Sequence, residues 1–319
     1  MGRLRNFLRD WMLVIAIIGG ACLYLAYHFA TPLHAAGPVL SRIVAVVQPL
    51  LLFLMLFLTF CKIEPKDLRP HRWQAWLLLF QGSLFMLLAL LVHFFPDMQA
   101  RIPLEAAMLC LICPTATACA VVTGKLGGDI AGVVTYTIAI NLLTAVLVPL
   151  FIPLVYPVEG LTFISAFSRI LAKVFPLLIM PCLLAWFIRY FMPRLHKAIL
   201  RYPDLAFHVW AVSLALAIAT STRAILLNED SATVLVWIAL ASALSCILQF
   251  WSGKMIGSAY GQRITAGQAL GQKNTVFAIW MGYTFMDPIV SIAGGFYSIW
   301  HNIFNSWQLY RARKGALKE

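Results

Sequence analysis

The sequence predicts an all-α integral membrane protein of ten transmembrane helices, arranged as two sets of five. Three observations carry this. The chain of 319 residues is 62% hydrophobic and only 11% charged, with a mean hydropathy of +0.86. A water-facing surface needs about a quarter of the residues charged. Apolar runs of roughly 20 residues recur from end to end, each about long enough to cross a bilayer as a helix. The fourth run of each half is interrupted by residues that a continuous lipid-facing helix does not tolerate.

The expected spans are 11–30, 39–61, 75–94, 104–123, 130–156, 170–190, 205–226, 232–251, 265–285 and 289–309. Backbone groups cannot go unpaired in lipid, so such runs form helices, and the short alternating segments of a β-barrel are missing. Arg3, Arg5 and Arg9 precede the first run as in a signal peptide, but the run is long for an h-region and is expected to be retained. Basic residues fall in every second connection: Lys62, Lys66, Arg69 and Arg72, then Arg189, Arg194, Lys197 and Arg201, then Lys254 and Arg263, then Arg311, Arg313, Lys314 and Lys318. The opposite connections are short and several are acidic, through Asp97, Glu159, Glu229 and Asp230. This alternation places both termini in the cytoplasm. It also accounts for the net charge of +12, which is a topology signal rather than a nucleic-acid patch.

Ten spans divide into two sets of five, and an odd-numbered set repeats upside down, the plan of many secondary transporters. The first interruption is Cys113-Pro114-Thr115-Ala116-Thr117, where Pro114 removes a backbone donor. The second runs from Gly267 to Thr275, with two Gly and five polar residues. Matched interruptions in two halves point to a binding site. Thr115, Thr117, Asn274 and Thr275 are candidate substrate contacts, with Gln268 and Gln272 beside them. Lys273 is the lone formal charge well inside a span, and a mid-bilayer ammonium needs a polar interior. The bland alternative is a lysine that snorkels to the membrane edge. Gln81, Asn141 and Asn302 are isolated amides that interhelical bonding would explain. His301 is either a proton carrier or a satisfied core histidine. Tyr and Trp near span ends read as an interfacial belt.

No nucleophile–base pair, metal-ligand spacing, P-loop or dinucleotide motif is present, and all twelve acidic residues lie in loops or near span ends. No catalytic residue, metal or cofactor is expected. The seven Cys read as small apolar packing residues.

Four stretches resemble the bile acid:sodium symporter superfamily: Cys113 to Cys119, Gly128-Asp129-Ile130-Ala131, Gly271-Gln272-Lys273-Asn274-Thr275, and Phe296 to Ile303. The resemblance covers nearly the whole chain. It implies a panel domain, approximately 11–61 and 170–226, and a core domain, approximately 75–156 and 232–309. Spans four and nine would cross at their unwound centres, with substrate between the domains and contacts from His301 and Asn302. It further implies a small organic anion as substrate, the lipid bilayer as environment, a bacterial inner membrane and a monomer, with no nucleic-acid partner. Sodium-coupled members hold two sodium ions behind the crossing through oxygen ligands. Here Cys119 and Ala120 stand where they have Ser and Asn, and Val133 stands for a Ser. Ala269, or Gln268 one register away, stands for a Glu, and Lys273 for a Gln. Gln81 and Thr137 are retained. The resulting expectation is a sodium-independent carrier working by alternating access, with Lys273 in the place of sodium. The competing expectations are a sodium-coupled symporter with a rebuilt ion site and a membrane ligand sensor that transports nothing.

Overall fold

The computed structural model describes residues 2–202, 204–227 and 232–313. The acidic connection with Glu229 and Asp230 and the tail residues Lys314 and Lys318 lie outside the described residues, as do the side chains of Arg3, Arg5, Arg9 and Arg313. Thirteen α-helices follow one another: α1 (Gly2–Phe29), α2 (Gly37–Cys61), α3 (Arg72–Phe94), α4 (Arg101–Ile112), α5 (Cys119–Lys125), α6 (Ile130–Val155), α7 (Phe163–Phe191), α8 (Pro193–Leu200), α9 (Leu205–Leu227), α10 (Ala232–Ser258), α11 (Arg263–Gly271), α12 (Thr275–Phe285) and α13 (Ile292–Arg313). Among the described residues, six helical stretches are long and apolar enough to cross a membrane: His34–Cys61, Arg72–Phe94, Ile130–Val155, Phe163–Phe191, Leu205–Leu227 and Ala232–Ser258. Val14–Phe29 and Thr275–Phe285 are shorter apolar helices. The chain is a multi-pass helical membrane protein.

Both expected interruptions are present. The expected fourth span is α4 and α5, and the expected ninth is α11 and α12. Other boundaries moved. Helix α7 begins seven residues before the expected start at 170. Thr162 caps it, its Oγ1 accepting from the Ser165 amide at 3.3 Å, a start signal that hydropathy alone passes over. Helix α10 continues seven residues beyond 251, and a separate short helix, α8, follows α7.

Two groups of helices pack closely. Helix α1 lies along α9, and α2 lies between α7 and α9. Gly20 of α1 makes the first contact possible, because a Cβ there would stand 2.2 Å from the Ala215 carbonyl oxygen of α9. In the second group α10 runs against α11, α4 and α13, and α3 against α4 and α6. Hydrogen bonds set the register of α4 on α6. Arg101 Nη2 donates to the Val155 carbonyl at 3.3 Å, the Tyr156 hydroxyl donates to Glu105, and Thr144 Oγ1 donates to the Ile112 carbonyl at 3.0 Å. The two helices are therefore antiparallel. The buried Glu105 is fully paired, since Arg101 Nε also donates to it at 2.8 Å.

In the connection between α2 and α3, Glu64 lies 2.6 Å from the Lys66 ammonium and 3.3 Å from Arg189. The Lys66 hydrogen bond, aided by Arg189, holds the Glu64 carboxyl below its usual range. Arg189 Nη2 and His196 Nε2 both reach the Cys61 carbonyl, at 3.0 and 2.8 Å, which ties α7 and α8 to the end of α2.

Candidate functional site: the crossing of two broken helices

Helix α4 stops because Pro114 stops it. The residue before a proline is pushed out of the helical region, and Cys113 has φ −54° and ψ 134°. Helix α11 stops where Gln272 turns extended, at φ −85° and ψ 110°. The two extended pieces pair as an antiparallel bridge of Thr115 with Lys273. The Ala116 amide donates to the Gln272 carbonyl at 2.9 Å, and the Asn274 amide donates to the Pro114 carbonyl at 2.8 Å. Each break thus satisfies backbone groups that the other exposes, which is the condition for non-helical backbone at membrane depth.

Five further carbonyls near the breaks are met by side chains. Thr144 takes that of Ile112. Gln81 Nε2 takes that of Cys113 at 3.1 Å, and Thr115 Oγ1 that of Ala269 at 2.8 Å. The Tyr297 hydroxyl takes that of Gly271 at 2.8 Å, and Gln249 Nε2 that of Cys110 at 3.3 Å. Asn274 caps α12, its Oδ1 accepting from the Phe277 amide at 3.2 Å.

Lys273 sits in this knot, not inside a helix. Its residue is 1% exposed, which excludes snorkelling to an edge. Nζ donates to Gln81 Oε1 at 2.9 Å, and the Tyr136 hydroxyl donates to the same oxygen at 2.9 Å. Because the Gln81 amide nitrogen is committed to Cys113, its oxygen is fixed toward the ammonium. Among the described residues no carboxylate pairs with Lys273; the acidic ion pairs involve Glu64, Glu105 and Asp129. The negative ends of two helices, α4 at Ile112 and α11 at Gly271, lie within a few residues of it in the paired strands. Each carries about half an elementary charge, and half-helix C-termini are established cation seats in broken-helix transporters.

Several positions matched to sodium ligands converge, but as an apolar patch. Cys119, Val133 and Ala269 share one buried cluster with Trp73, Leu77, Tyr136 and Leu270, and Ala120 packs against it. Thr137 Oγ1 is turned back on its own helix, donating to the Val133 carbonyl at 2.9 Å. Cys119 Sγ is 3.9 Å from Thr123 Oγ1. Contrary to the expectation of no ligand spacing among the cysteines, Cys110 and Cys113 do have Cys-x-x-Cys spacing, and both are buried free thiols. No cluster of three metal-ligating side chains exists among the described residues.

The candidate substrate residues separate into two places. Thr115, Asn274, Thr275, Gln268 and Gln272 are buried at the crossing, and Thr117 is half-buried before α5. The Thr115 hydroxyl is spent on Ala269. Gln272 Nε2, Asn274 Nδ2 and both amide atoms of Gln268 have no partner among the described residues. His301 packs edge-on against Tyr297, 5.7 Å between rings, with Nδ1 unpartnered. Asn302 lies elsewhere, in an apolar groove of about 460 Å³ between α1 and α13, with Val14, Ile17, Ile18, Ile299, Ile303 and Ser306. Its Nδ2 donates to the Ser298 carbonyl at 2.6 Å.

Three contributors are not legible from hydropathy: Tyr136, Tyr297 and Gln249. Tyr136, near a span start, reads as interfacial, and Tyr297 lies in a resembling stretch without a role of its own; both are buried with hydroxyls bonded at the crossing. Gln249 is a lone amide in an apolar span, the signal that singles out Gln81. The two glycines of the second interruption are also not hinges. A Cβ on Gly267 would stand 2.6 Å from Lys254, and one on Gly271 would stand 2.4 Å from the Phe250 ring. They form the face on which α11 seats against α10.

A family model described as the Sodium Bile acid symporter family matches residues 49–229, more than half of the chain. The matched stretch contains the first break and ends before Lys273. No curated protein matches the sequence.

Proposed function

The chain belongs to the sodium bile acid symporter family, and on that premise we propose that it is a sodium-independent secondary transporter of small organic anions in which Lys273 occupies the role of bound sodium. The observation that carries this reading is the bond from Lys273 Nζ to Gln81 Oε1 at 2.9 Å. A residue retained at a sodium-binding position is here the acceptor for a tethered ammonium. Apolar packing of Cys119, Val133 and Ala269 supports it, because a hard cation needs several oxygens.

The substrate's charge is favoured by what is left unpaired. Gln272 Nε2 and Asn274 Nδ2 are donors at the start of α12, beside an ammonium, and a helix start attracts negative charge. Ten spans in an inverted five-plus-five repeat, with the core (75–156 and 232–309) moving against the panel (11–61 and 170–226), give alternating access on either side of the crossing. The chain acts as a monomer in a bacterial inner membrane with both termini cytoplasmic.

Proteoliposome uptake tests this reading, using labelled taurocholate, cholate and short hydroxy- and keto-carboxylates. Uptake should be equal in sodium and in choline, and Lys273→Gln should lower it at least about ten-fold, the effect of losing one charged hydrogen bond. A steep rise with sodium would establish a rebuilt sodium site instead. Binding without uptake would establish a sensor.

A further inference from the structure

A second pocket lies where the two groups of helices are joined, away from the crossing. The connection from α2 to α3 leaves the first group at Lys62 and enters the second at Arg72. Between this connection and the start of α6 is a pocket of about 280 Å³. Lys62, Ile63, Glu64 and Arg69 of the connection line one side, and Ile130, Ala131 and Val134 of α6 line the other.

Arg69 is held at this pocket by its backbone. Its amide donates to Thr135 Oγ1 of α6 at 2.9 Å. Its carbonyl accepts from Gln74 Nε2 at 3.3 Å, and the same nitrogen donates to the Gly132 carbonyl of α6 at 3.0 Å. None of these bonds uses the guanidinium of this exposed residue. The acid in the lining, Glu64, lies 2.6 Å from Lys66 and 3.3 Å from Arg189, so its charge is already offset. Asp129, just before α6, lies with Oδ2 3.7 Å from His71 Nε2 and gives the helix no side-chain cap. The positive end of a 26-residue helix therefore borders the pocket at Ile130 and Ala131, where a phosphate is favoured.

Two chemistries meet in this one pocket. Lys62, Arg69 and the helix start suit a phosphate, and Ile63, Ile130 and Val134 suit hydrocarbon. Ile130 is 51% exposed and opens a helix long and apolar enough to cross a membrane. Val134 follows one turn later on the same side, so the apolar wall runs from the pocket into the bilayer. A free phosphate would use half of this lining, and a phospholipid uses all of it. On the topology proposed above, this is the cytoplasmic face, where anionic lipids collect cations and basic pockets between helices bind their headgroups. We propose that the pocket holds an anionic phospholipid, its phosphodiester between Lys62 and Arg69 and a chain along Ile130 and Val134. One lipid then fastens the connection between the two helix groups to α6. The site is separate from Lys273 and stands whatever the chain transports.

The experiment titrates the full-length protein, in neutral detergent, with phosphatidylglycerol and separately with phosphatidylcholine, and counts bound lipid by native mass spectrometry. The protein should retain one phosphatidylglycerol in preference to phosphatidylcholine. Arg69→Gln and Lys62→Gln should each lower that retention about ten-fold, the effect of losing one charged hydrogen bond. Arg69→Lys, which keeps the charge, should lose less. Arg201→Gln removes an exposed cation after α8, at the same face but outside the pocket, and should change nothing. Size-exclusion elution should be the same for every variant, since the bonds that hold Arg69 belong to its backbone. Equal retention of the two lipids would overturn the proposal, because no headgroup would then be selected. Retention unchanged in Arg69→Gln and Lys62→Gln, or lowered as much in Arg201→Gln, would overturn it in favour of diffuse surface charge. Displacement of the lipid by millimolar inorganic phosphate would overturn it in favour of a site for a soluble phosphate.

Discussion

The two breaks at the crossing differ in cause. The first, between α4 and α5, is encoded by its own residues. Pro114 cannot continue α4, and the extended Cys113 before it follows from proline geometry. The second, between α11 and α12, has no proline and no glycine in a left-handed conformation; the positive-φ glycines are Gly127, Gly160 and Gly261. It is extended because its backbone is claimed from outside, by Pro114 and Ala116 across the bridge and by Tyr297 at Gly271. One break is local and the other is tertiary. The buried ammonium of Lys273 stands on the tertiary one, where its position depends on the rest of the molecule being assembled.

That contrast can be broken or sharpened by substitution, and the largest effect belongs to Lys273. Lys273→Met keeps the length and removes the charge, leaving two helix C-termini facing an apolar group. Anion uptake should fall by about a hundred-fold or more, equivalent to about 3 kcal/mol, while the fold assembles, as read by size-exclusion elution. Wild-type uptake would show that the tertiary break does not exist to hold the ammonium.

Next in size is Gly271→Ala. Its Cβ would meet the Phe250 ring at 2.4 Å, an overpacking that costs about 1–3 kcal/mol. Gly295→Ala, with Ile218 at an ordinary 3.7 Å, should leave the melting temperature in detergent unchanged. Equal melting temperatures for the two variants would mean that α11 is not seated by its glycine face.

Thr115→Val leaves the Ala269 carbonyl without its donor, for about 1–3 kcal/mol. Amide exchange should quicken at 272–276, on the far side of the bridge, more than at 113–118, where Pro114 still acts. Faster exchange at the first break alone would reverse the assignment of causes. Asn274→Ala is the smallest, removing a helix cap worth about 0.5–2 kcal/mol. Asn274→Ser should restore most of the stability but not the free Nδ2 donor, so a thermal melt and an anion-binding titration should respond differently to it.

Much of this arrangement was legible in the residues. Pro114 announces the first break through covalent chemistry, and Lys273 stands out because no other formal charge sits at such depth. Gln81 follows from the resemblance. For Tyr136 and Gln249, which were not legible, the reason is that α6 and α10 carry apolar residues around much of their circumference, so hydropathy locates a residue along a span but not around it. Tyr136 and Gln249 therefore could not be aimed at the crossing from sequence, and Tyr297, though inside a resembling stretch, carried no role of its own there. Gly267 and Gly271 misled for a related reason. Glycine permits both a break and a close approach, and only the neighbour decides which; here the neighbours are Lys254 and the Phe250 ring of α10. The start of α7 was missed because Thr162 is a polar cap outside the apolar run.

The seat of α11 on α10 also constrains how the protein is made. Helix α11 has nine residues, among them an arginine and a glutamine. At 1.5 Å per residue it reaches less than half-way through a hydrocarbon layer of about 30 Å, and it has no tendency to enter lipid by itself. It can be inserted only as the returning arm of a hairpin whose outgoing arm, α10, is already in place. Gly253 and Gly257 of α10 lie so close to α11 that added Cβ atoms would stand 2.6 and 2.4 Å from its Ala266 carbonyl and from that of Gln262 just before it. The Gly271 carbonyl then waits for Tyr297, supplied by α13, which leaves the ribosome after α10, α11 and α12. Assembly of the crossing therefore closes on α13: a chain truncated before α13 would have all of α4 and α11 but would lack the hydroxyl that closes the end of α11, and should be recognised by membrane quality control as unfinished.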